Sequence, residues 1–217
     1  MKRLRVLVAC EESQAVCKAF RELGHKAYSC DLQECSGGHP EWHIKGDALK
    51  VLNLPIWDLV IAHPPCTYIT NGGAVRMYKK KGVINEERFA KAVQAKEFFN
   101  KFLQAKCKHI AVENPVPMTC VGLKKYNQII QPYQFGDPFS KKTCLWLKGL
   151  PPLHYTNVLS EYQPFINGGG GRLNKPNYKG KTFANGQKKR SKTFEGIARA
   201  MATQWSEYIL KELEEQK

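Results

Sequence analysis

Two side chains in this 217-residue chain have the types and surroundings needed for covalent chemistry on a pyrimidine ring. Cys66 follows an apolar run and the pair Pro64-Pro65, and Glu113 ends a second apolar run just before Asn114-Pro115. A thiolate that adds to C6 of cytosine, while an acid pairs with N3 and the exocyclic amine, makes C5 able to attack a methyl group. The competing interpretations are a small buried residue for Cys66 and a surface acid for Glu113. The two prolines, which end a strand and present the thiol, favour a nucleophile.

The elements that position these residues alternate between strand and helix signals. Helices are predicted for residues 13–23, after an N-cap at Asn85, and along an apolar stripe over residues 194–209. Strands are predicted at residues 4–10, 25–31, just before Asp47, and at 58–62, 109–113, 128–135 and 143–147. Such alternation predicts a mostly parallel sheet covered on both faces, in which ligands bind beyond the carboxyl ends of the strands.

Polar residues follow several of these strands, at one edge of the predicted sheet. Asp31 can accept hydrogen bonds from ribose hydroxyls and Asp47 can hold an adenine amino group, although each is also a common cap or turn acid. The first strand-to-helix turn, residues 9–14, contains no glycine, which disfavours a cofactor that carries phosphates. A sulfonium cofactor such as S-adenosylmethionine fits better, since Glu11 or Glu12 can face its positive charge.

The distribution of charge favours a nucleic-acid partner. The net charge is +15, and residues 138–192 contain eleven Lys or Arg and one acid, Glu161. A solvated basic surface is the ordinary explanation of such a run. A polyphosphate backbone is the functional explanation, and we favour it.

Composition also bounds the class of protein. No apolar run approaches the roughly 20 residues that span a bilayer, so we expect a soluble, cytoplasmic protein with no membrane partner. The eight cysteines contain no C-x-x-C pair. Cys35, His39 and His43 have a metal-like spacing, but Gly37-Gly38 and Pro40 interrupt it and no fourth ligand is evident. No metal is therefore expected.

Taken together, the motifs resemble those of the DNA cytosine-5 methyltransferases, in the short version often found in phages and prophages. Pro64-Pro65-Cys66 is similar to the family's catalytic Pro-Cys motif, and Glu113-Asn114-Pro115 is similar to its Glu-Asn motif. Further segments resemble the cofactor motifs and the signatures of the short members: residues 6–13, Asp31, Gly46-Asp47, and residues 136–147, 150–153 and 190–205. The resemblance covers most of the chain and thins between residues 153 and 189.

The chain departs from the family pattern in three places. The first turn has Cys10-Glu11-Glu12-Ser13 where the family has Phe-x-Gly-x-Gly. The arginine-rich motif that contacts the target base has no clean counterpart, and Lys141 and Lys142 are the candidates to replace it. In place of a separate target-recognition domain there is only a loop-rich stretch, residues 151–190, which is too small to read a long site.

For the fold, the resemblance implies an α/β, Rossmann-like S-adenosylmethionine-dependent methyltransferase fold, with a mostly parallel seven-stranded sheet and helices on both faces. It implies a single methyltransferase domain over residues 1–217. Within it, residues 151–190 form a basic, loop-rich segment, and residues 191–217 form a C-terminal helix that packs back on the core.

For the site, the resemblance implies three sets of residues. The catalytic set is Cys66, Glu113 and Pro65. The cofactor set is Cys10, Glu11, Glu12, Ser13, Asp31, Leu32, Asp47, Ala48, His63 and Pro64. The nucleic-acid set is Thr70, Asn71, Asn114, Lys141, Lys142, Lys188, Lys189 and Arg190.

The expected function is methyl transfer from S-adenosylmethionine, or a modified sulfonium analogue, to C5 of cytosine in DNA, in the cytoplasm of a bacterial host cell. The cytosine is flipped out of double-stranded DNA and held by a covalent bond from Cys66 to C6, with short or relaxed sequence specificity. A second hypothesis keeps this chemistry but acts on RNA or a free cytidine nucleotide.

A third and a fourth hypothesis change the chemistry itself. Methylation of an amino group of adenine or cytosine is disfavoured, because those enzymes prefer Asp, Asn or Ser where this chain has His63, and an aromatic residue where it has Cys66. The fourth hypothesis is a nucleic-acid-binding protein with weak or no catalysis on a methyltransferase scaffold, suggested by the altered first motif.

Overall fold

A seven-stranded sheet with helices on both faces forms the body of the protein. The computed structural model describes residues 2–165 and 191–216. Along the chain its elements are β1 (Arg5–Ala9), α1 (Ala15–Glu22), β2 (Lys26–Asp31), β3 (His43–Lys45), α2 (Ala48–Leu52), β4 (Leu59–Ala62), β5 (Tyr78–Lys80), β6 (Val83–Ile84), α3 (Glu86–Leu103), β7 (His109–Pro115), β8 (Gln128–Ile130), β9 (Phe139–Ser140), β10 (Thr143–Lys148), β11 (Gln163–Pro164) and α4 (Glu195–Glu215).

The order of strands in the main sheet is β3-β2-β1-β4-β7-β10-β8. Neighbouring strands from β3 to β7 are parallel, and β10 runs antiparallel to both β7 and β8. The central strands are almost continuous apolar runs because both faces of the sheet are covered. This confirms the predicted α/β class, with a mostly parallel seven-stranded sheet and helices on both faces.

Alternate residues of the strands divide the core into two clusters. In β1, Val6 and Val8 face α1 and α4, where they pack in a cluster that contains Phe20 and Trp205. The intervening Leu7 belongs to the cluster under α2 and α3, which contains Leu52, Phe99 and Phe102. The period-two alternation of a strand thus serves both helical layers at once.

Two predicted elements differ in extent from the structure. The strand predicted over residues 128–135 ends at Ile130, because Pro132 begins a single 3₁₀ turn, Pro132–Gln134. Proline has no N–H to donate to a ladder, so the strand stops before it. The predicted loop-rich segment, residues 151–190, contains the short strand β11 in its described part, and residues 166–190 lie outside the described residues.

None of the helices within residues 2–165 and 191–216 is both long and apolar enough to cross a membrane.

Candidate active site at the carboxyl ends of the strands

The catalytic candidates meet at one edge of the sheet. β4 and β7 are parallel neighbours, with Ala62 opposite Val112. Cys66 follows the end of β4 by four residues and Glu113 comes directly after Val112, so both lie at the carboxyl edge. The negative charge of Glu113 reaches the Cys66 thiol and contributes to raising its pKa. The structure therefore brings together the two residues on which the predicted chemistry depends.

The turn that carries Cys66 is held by hydrogen bonds from both sides. The amide of Asn114 donates to the carbonyl of Pro64 at 2.7 Å. The hydroxyl of Thr70 donates to the carbonyl of Cys66 at 3.0 Å. Both Asn114 and Thr70 are buried, so these two predicted nucleic-acid contacts serve inside the protein as ties of the catalytic turn. Pro65 is exposed at the tip of the turn.

This turn is also joined to the chain that follows β7. Asn71 donates its backbone N–H to Val116 at 3.1 Å, and Met118 donates to Ile69 at 2.8 Å. Thr70 and Pro117 form an antiparallel bridge between the two segments. Residues 69–71 and 116–118 thus fasten the Cys66 turn to the segment after Glu113.

Glu113 is paired with His63, a contact that the sequence did not predict. Nδ1 of His63 lies 2.9 Å from Oε2 of Glu113, and the two side chains are only 9% and 13% exposed. Burial disfavours both charges, but the hydrogen bond and the attraction between the partners outweigh it. The pKa of His63 is raised and the pKa of Glu113 is lowered. Nε2 of His63 is buried with no hydrogen-bond partner among the described residues.

The Cys66 thiol has two charged neighbours with opposite effects. Burial raises its pKa and Glu113 raises it further, whereas a hydrogen bond with Thr70 and the positive charge of Lys141 lower it. The net effect of these contributions is a raised pKa of Cys66. Lys141 lies between β9 and β10, and its charge also lowers the pKa of Glu113. Lys141 therefore lies close enough to act on both Cys66 and Glu113, whereas Lys142 is exposed.

The two aspartates predicted to hold a nucleoside lie beside each other at the ends of β2 and β3. Burial is the main cause that raises the pKa of Cys10, and the negative charges of Asp31 and Asp47 raise it further. Both carboxylates are therefore close to that residue. Asp31 accepts a hydrogen bond from the N–H of Gln33 and Asp47 accepts one from Leu49, each at 2.9 Å. Asp31 thus stabilises a turn and Asp47 caps α2, and each carboxylate keeps a second oxygen that can bind a ligand.

The remaining residues of the predicted cofactor set differ in exposure. Leu32 is 74% exposed next to Asp31, and its apolar side chain is a surface on which an adenine ring can lie. Ser13 is half-buried, and Ala48 and Pro64 are buried.

The first strand-to-helix turn achieves its shape without glycine. Cys10 and Gln14 both have φ of 59°, in the left-handed region that glycine usually supplies. The carboxylate of Glu11 accepts hydrogen bonds from the N–H groups of Val16 and Cys17 at 2.7 and 3.2 Å. Glu11, predicted to contact the cofactor, therefore caps the start of α1 with both of its oxygens.

Glu12 differs from Glu11 in that both of its oxygens are buried and have no hydrogen-bond partner among the described residues. A buried carboxylate without a partner is costly, so a cationic ligand at this position is expected. The donor set of this half of the site is two aspartates, an orphaned glutamate and an exposed leucine, with no glycine-rich phosphate cradle. These residues fit an adenosine that carries a sulfonium and an ammonium group, which is the chemistry of S-adenosylmethionine.

One contact of the first turn was not predicted from the sequence, and three predicted residues lie outside the described ranges. The amide of Gln14 binds the backbone of His39 in both directions, at 2.8 and 3.1 Å, and so ties the first turn to the loop after β2. Nothing in the sequence near Gln14 indicates this tie. Lys188, Lys189 and Arg190 lie outside the described residues. Within residues 2–165 and 191–216 no group of three or more His, Cys, Asp or Glu side chains is arranged to hold a metal ion.

Comparisons with known proteins find similarity to solved structures only. No family model matches the chain, and no curated protein matches it. Among solved structures, a protein described as a DNA modification methyltransferase encoded within an E. coli prophage is 12% identical, with a TM-score of 0.41, and the match covers 66% of this chain and 46% of that one.

Two further solved structures are similar at the same level. The Entamoeba histolytica methyltransferase EhMeth is 15% identical, with a TM-score of 0.45 and coverage of 79% of this chain and 62% of that one. The S. pombe Dnmt2 methyltransferase is 17% identical, with a TM-score of 0.42 and coverage of 75% and 52%. The chain thus spans less than two thirds of the length of each of these proteins.

Proposed function

We propose that the chain is an S-adenosylmethionine-dependent cytosine-5 methyltransferase that acts on DNA with short or relaxed sequence specificity. The observation that carries this proposal is the grouping of Cys66, the His63–Glu113 pair and Lys141 at the same sheet edge as Asp31, Asp47 and Glu12. In this proposal Cys66 is the nucleophile, the His63–Glu113 pair is the source of protons, and Asp31, Asp47 and Glu12 hold the cofactor; their proximity supports these roles.

The first step is addition of the Cys66 thiolate to C6 of the cytosine. The C6–S bond forms, the C5–C6 double bond opens, and the electron pair is delocalised toward N3. Glu113 and His63 share a proton across their 2.9 Å contact, so the pair can supply a proton to N3 as negative charge develops there. C5 becomes nucleophilic as a result.

The second half of the reaction restores aromaticity. S-adenosylmethionine, when bound, supplies a methyl group on a positively charged sulfur that leaves as a neutral thioether. C5 would form its bond to that methyl group as the sulfur–methyl bond breaks. Loss of the C5 proton to a base and cleavage of the C6–S bond then release the Cys66 thiolate, and N3 returns its proton to the His63–Glu113 pair. The pair Pro64-Pro65 holds the turn rigid, and the bonds from Asn114 and Thr70 fix the direction of the thiol.

The cofactor is held by the other half of the site. In this proposal Asp31 accepts from the ribose hydroxyls, Asp47 from the adenine amine, and Glu12 from the cationic end of the methionine moiety. Leu32 packs on the adenine, and Cys10, Ser13, Ala48 and Pro64 form the surrounding wall. The net charge of +15 supports a polyanionic substrate over a free nucleotide.

The proposal is tested by covalent trapping. The protein is incubated with S-adenosylmethionine and a duplex that contains 5-fluorocytosine. This base has fluorine in place of the C5 proton, so elimination is blocked and the covalent adduct accumulates. The adduct is detected by denaturing gel and peptide mass spectrometry. We expect an adduct on Cys66, 5-methylcytosine in nucleoside digests of unmodified DNA, and loss of both by on the order of 10³-fold or more in Cys66→Ala.

The matched control is Cys107→Ala, which removes another partly buried thiol, at the opposite edge of the sheet. Parallel incubations with RNA and with dCMP distinguish the substrate class. Retention of activity in Cys66→Ala, or product in an amino group, refutes the mechanism. A protein that binds DNA but leaves it unmethylated supports the hypothesis of a binding protein without catalysis.

A further inference from the structure

A small basic hairpin lies between the catalytic turn and α3. It consists of β5 and β6 joined by the turn Lys81-Gly82, and Gly82 supplies the positive φ of 79° that this turn needs. We call residues 78–84 the lysine ribbon, after its run Lys79-Lys80-Lys81. Together with its flanks, residues 76–91, it contains six Lys or Arg and two Glu, a net charge of +4.

The ribbon is almost free of packing against the rest of the protein. All five residues of β5 and β6 are exposed, and Tyr78 and Lys80 pair with Ile84 and Val83 across the hairpin. A two-stranded ribbon of this size buries too little apolar surface to be kept for its stability. Its exposed side chains are therefore available for contacts with a partner.

The charges of the ribbon are available to a partner. Across the described ranges, no ion pair joins Lys79, Lys80 or Lys81 to an acid. The acid whose pKa responds to Lys79 is Glu87, and the carboxylate of Glu87 is already bonded to Lys91 at 2.6 Å. Three uncompensated ammonium groups on one short projection are complementary to a row of phosphates.

The base of the ribbon is fixed to the catalytic turn. Met77 is fully buried beneath it, and Asn85 donates its backbone N–H to Met77 at 2.8 Å, which closes the hairpin. The guanidinium of Arg88, at the start of α3, donates to the carbonyl of Thr67, next to Cys66, at 3.0 Å. The ribbon is thus held at a constant place relative to the nucleophile.

The dimensions of the ribbon favour DNA over RNA. The major groove of B-DNA is about 12 Å wide and accepts a two-stranded β-ribbon, whereas the deep, narrow major groove of A-form RNA does not. The register shifts between Tyr78 and Lys80, so Lys79 lies at an irregularity of the ribbon, and Lys79 and Lys80 are both exposed to a phosphate backbone. Val75, which is 85% exposed between the catalytic turn and the ribbon, adds an apolar contact for sugar or base.

We propose that the lysine ribbon is a DNA-binding arm that holds the phosphates beside the target base and does part of the anchoring that a separate recognition domain does in larger enzymes. This inference rests on the proposed function for the choice of DNA as partner. It concerns binding alone, so it can be measured without catalysis.

The test is equilibrium binding of a fluorescent 30-base-pair DNA duplex by the full chain, across about 50 to 200 mM salt. The test variant is Lys79→Gln/Lys80→Gln/Lys81→Gln. The matched control is Lys2→Gln/Arg3→Gln/Lys26→Gln, which removes the same charge from exposed residues at the opposite edge of the sheet. Thermal melting by circular dichroism checks that both variants are folded.

We expect the ribbon variant to bind about tenfold or more weakly and its logarithmic salt slope to fall by about 2 to 3, since each lost phosphate contact removes about 0.9. The control is expected to stay close to the wild type in both quantities. Equal losses in the two variants, or binding by the ribbon variant within about twofold of the wild type, overturn the inference. A loss seen with duplex RNA and not with DNA also overturns it.

The outcomes separate the ribbon from the proposed reaction. If the ribbon variant loses DNA affinity but the wild type makes no 5-methylcytosine, the arm stands and the proposed function fails. If the wild type methylates DNA and the ribbon variant binds normally, the proposed function stands and the arm fails. A wild type that binds no duplex refutes both.

Discussion

Lys141 and Glu113 act on the Cys66 thiol in opposite directions. The carboxylate of Glu113 and the burial of the side chain make the thiolate harder to form, and Lys141 counteracts them. The attack on C6 needs the thiolate, so the reactivity of this residue is set by the balance of these charges.

Replacement of Lys141 by Gln is expected to slow alkylation of Cys66. The substitution removes the cation that lowers the thiol pKa, so at a fixed pH near 8 the thiolate fraction falls and the rate with iodoacetamide drops by roughly twofold or more. In both proteins the rate rises with pH beyond the range of an ordinary thiol. Lys141→Arg keeps the charge and is expected to react like the wild type. The rates are measured by quantifying the Cys66 peptide by mass spectrometry, and equal rates in the Gln and Arg variants contradict the expectation.

The His63–Glu113 pair is expected to stabilise the fold most strongly at mildly acid pH. The lowered pKa of Glu113 gives stability that is present above the ordinary glutamate value of 4.5 and is lost as pH falls through the folded value. The raised pKa of His63 gives stability that is fully present below 6.5 and is lost as pH rises through its folded value. Both contributions are present between these two ordinary values.

A double-mutant cycle with His63→Gln and Glu113→Gln measures this coupling by urea unfolding. We expect a coupling free energy of about 1–3 kcal/mol near pH 5.5, and a clearly smaller one once the pH has risen through the raised pKa of His63 and the imidazole is neutral. His109 and Glu212, a second His–Glu contact at 2.7 Å near the opposite edge of the sheet, provide a control pair whose carboxylate is more exposed. Equal coupling of His63 and Glu113 at the two pH values rules out an ionised pair.

At the scale of secondary-structure elements, the first turn assigns different tasks to two adjacent acids. Glu11 caps α1 with both oxygens, and Glu12 presents a buried carboxylate without a partner among the described residues. The same turn has two non-glycine residues in left-handed backbone conformations. The first turn is therefore held by Glu11, and in the proposed function it faces the cofactor with Glu12.

Substitutions in the two acids are expected to separate stability from binding. Glu11→Gln leaves one helix N–H without its acceptor, and we expect it to cost about 1–2 kcal/mol of unfolding free energy. Glu12→Gln replaces a buried carboxyl group that has no hydrogen-bond partner among the described residues, so stability is kept or raised, while affinity for S-adenosylmethionine falls by about tenfold. Urea unfolding and titration calorimetry give the two quantities. A stable Glu11→Gln variant, or unchanged cofactor affinity in Glu12→Gln, contradicts this division of tasks.

At the scale of the whole molecule, the sequence was informative where one local signal determined the outcome. Apolar runs closed by Asp31, Pro64 or Glu113 predicted strands, and their alternation with helices predicted that these ends share one edge. The early end of β8 could also have been predicted from the sequence, because Pro132 has no N–H group to donate to a β-ladder.

Contacts that depend on tertiary register could not be predicted in this way. His63 and Glu113 are 50 residues apart in the chain, and they meet only because β4 and β7 pair with Ala62 opposite Val112. The capping by Glu11 depends on left-handed conformations at Cys10 and Gln14, which neither residue type indicates. The lysine ribbon has no apolar alternation, so its sequence resembles a loop.

The backbone hydrogen bond from Asn85 to Met77 closes the hairpin at its base, so residues 78–84 can be replaced as a unit. The core contacts of Met77 and the bonds from Asn71 to Val116 and from Met118 to Ile69 all lie outside the hairpin, so the catalytic turn does not depend on what the hairpin contains. Insertions, deletions or recombination at this point leave the nucleophile in place. If the lysine ribbon binds DNA as proposed, replacement of this one short hairpin changes the affinity for the phosphate backbone and leaves the residues around Cys66 in place.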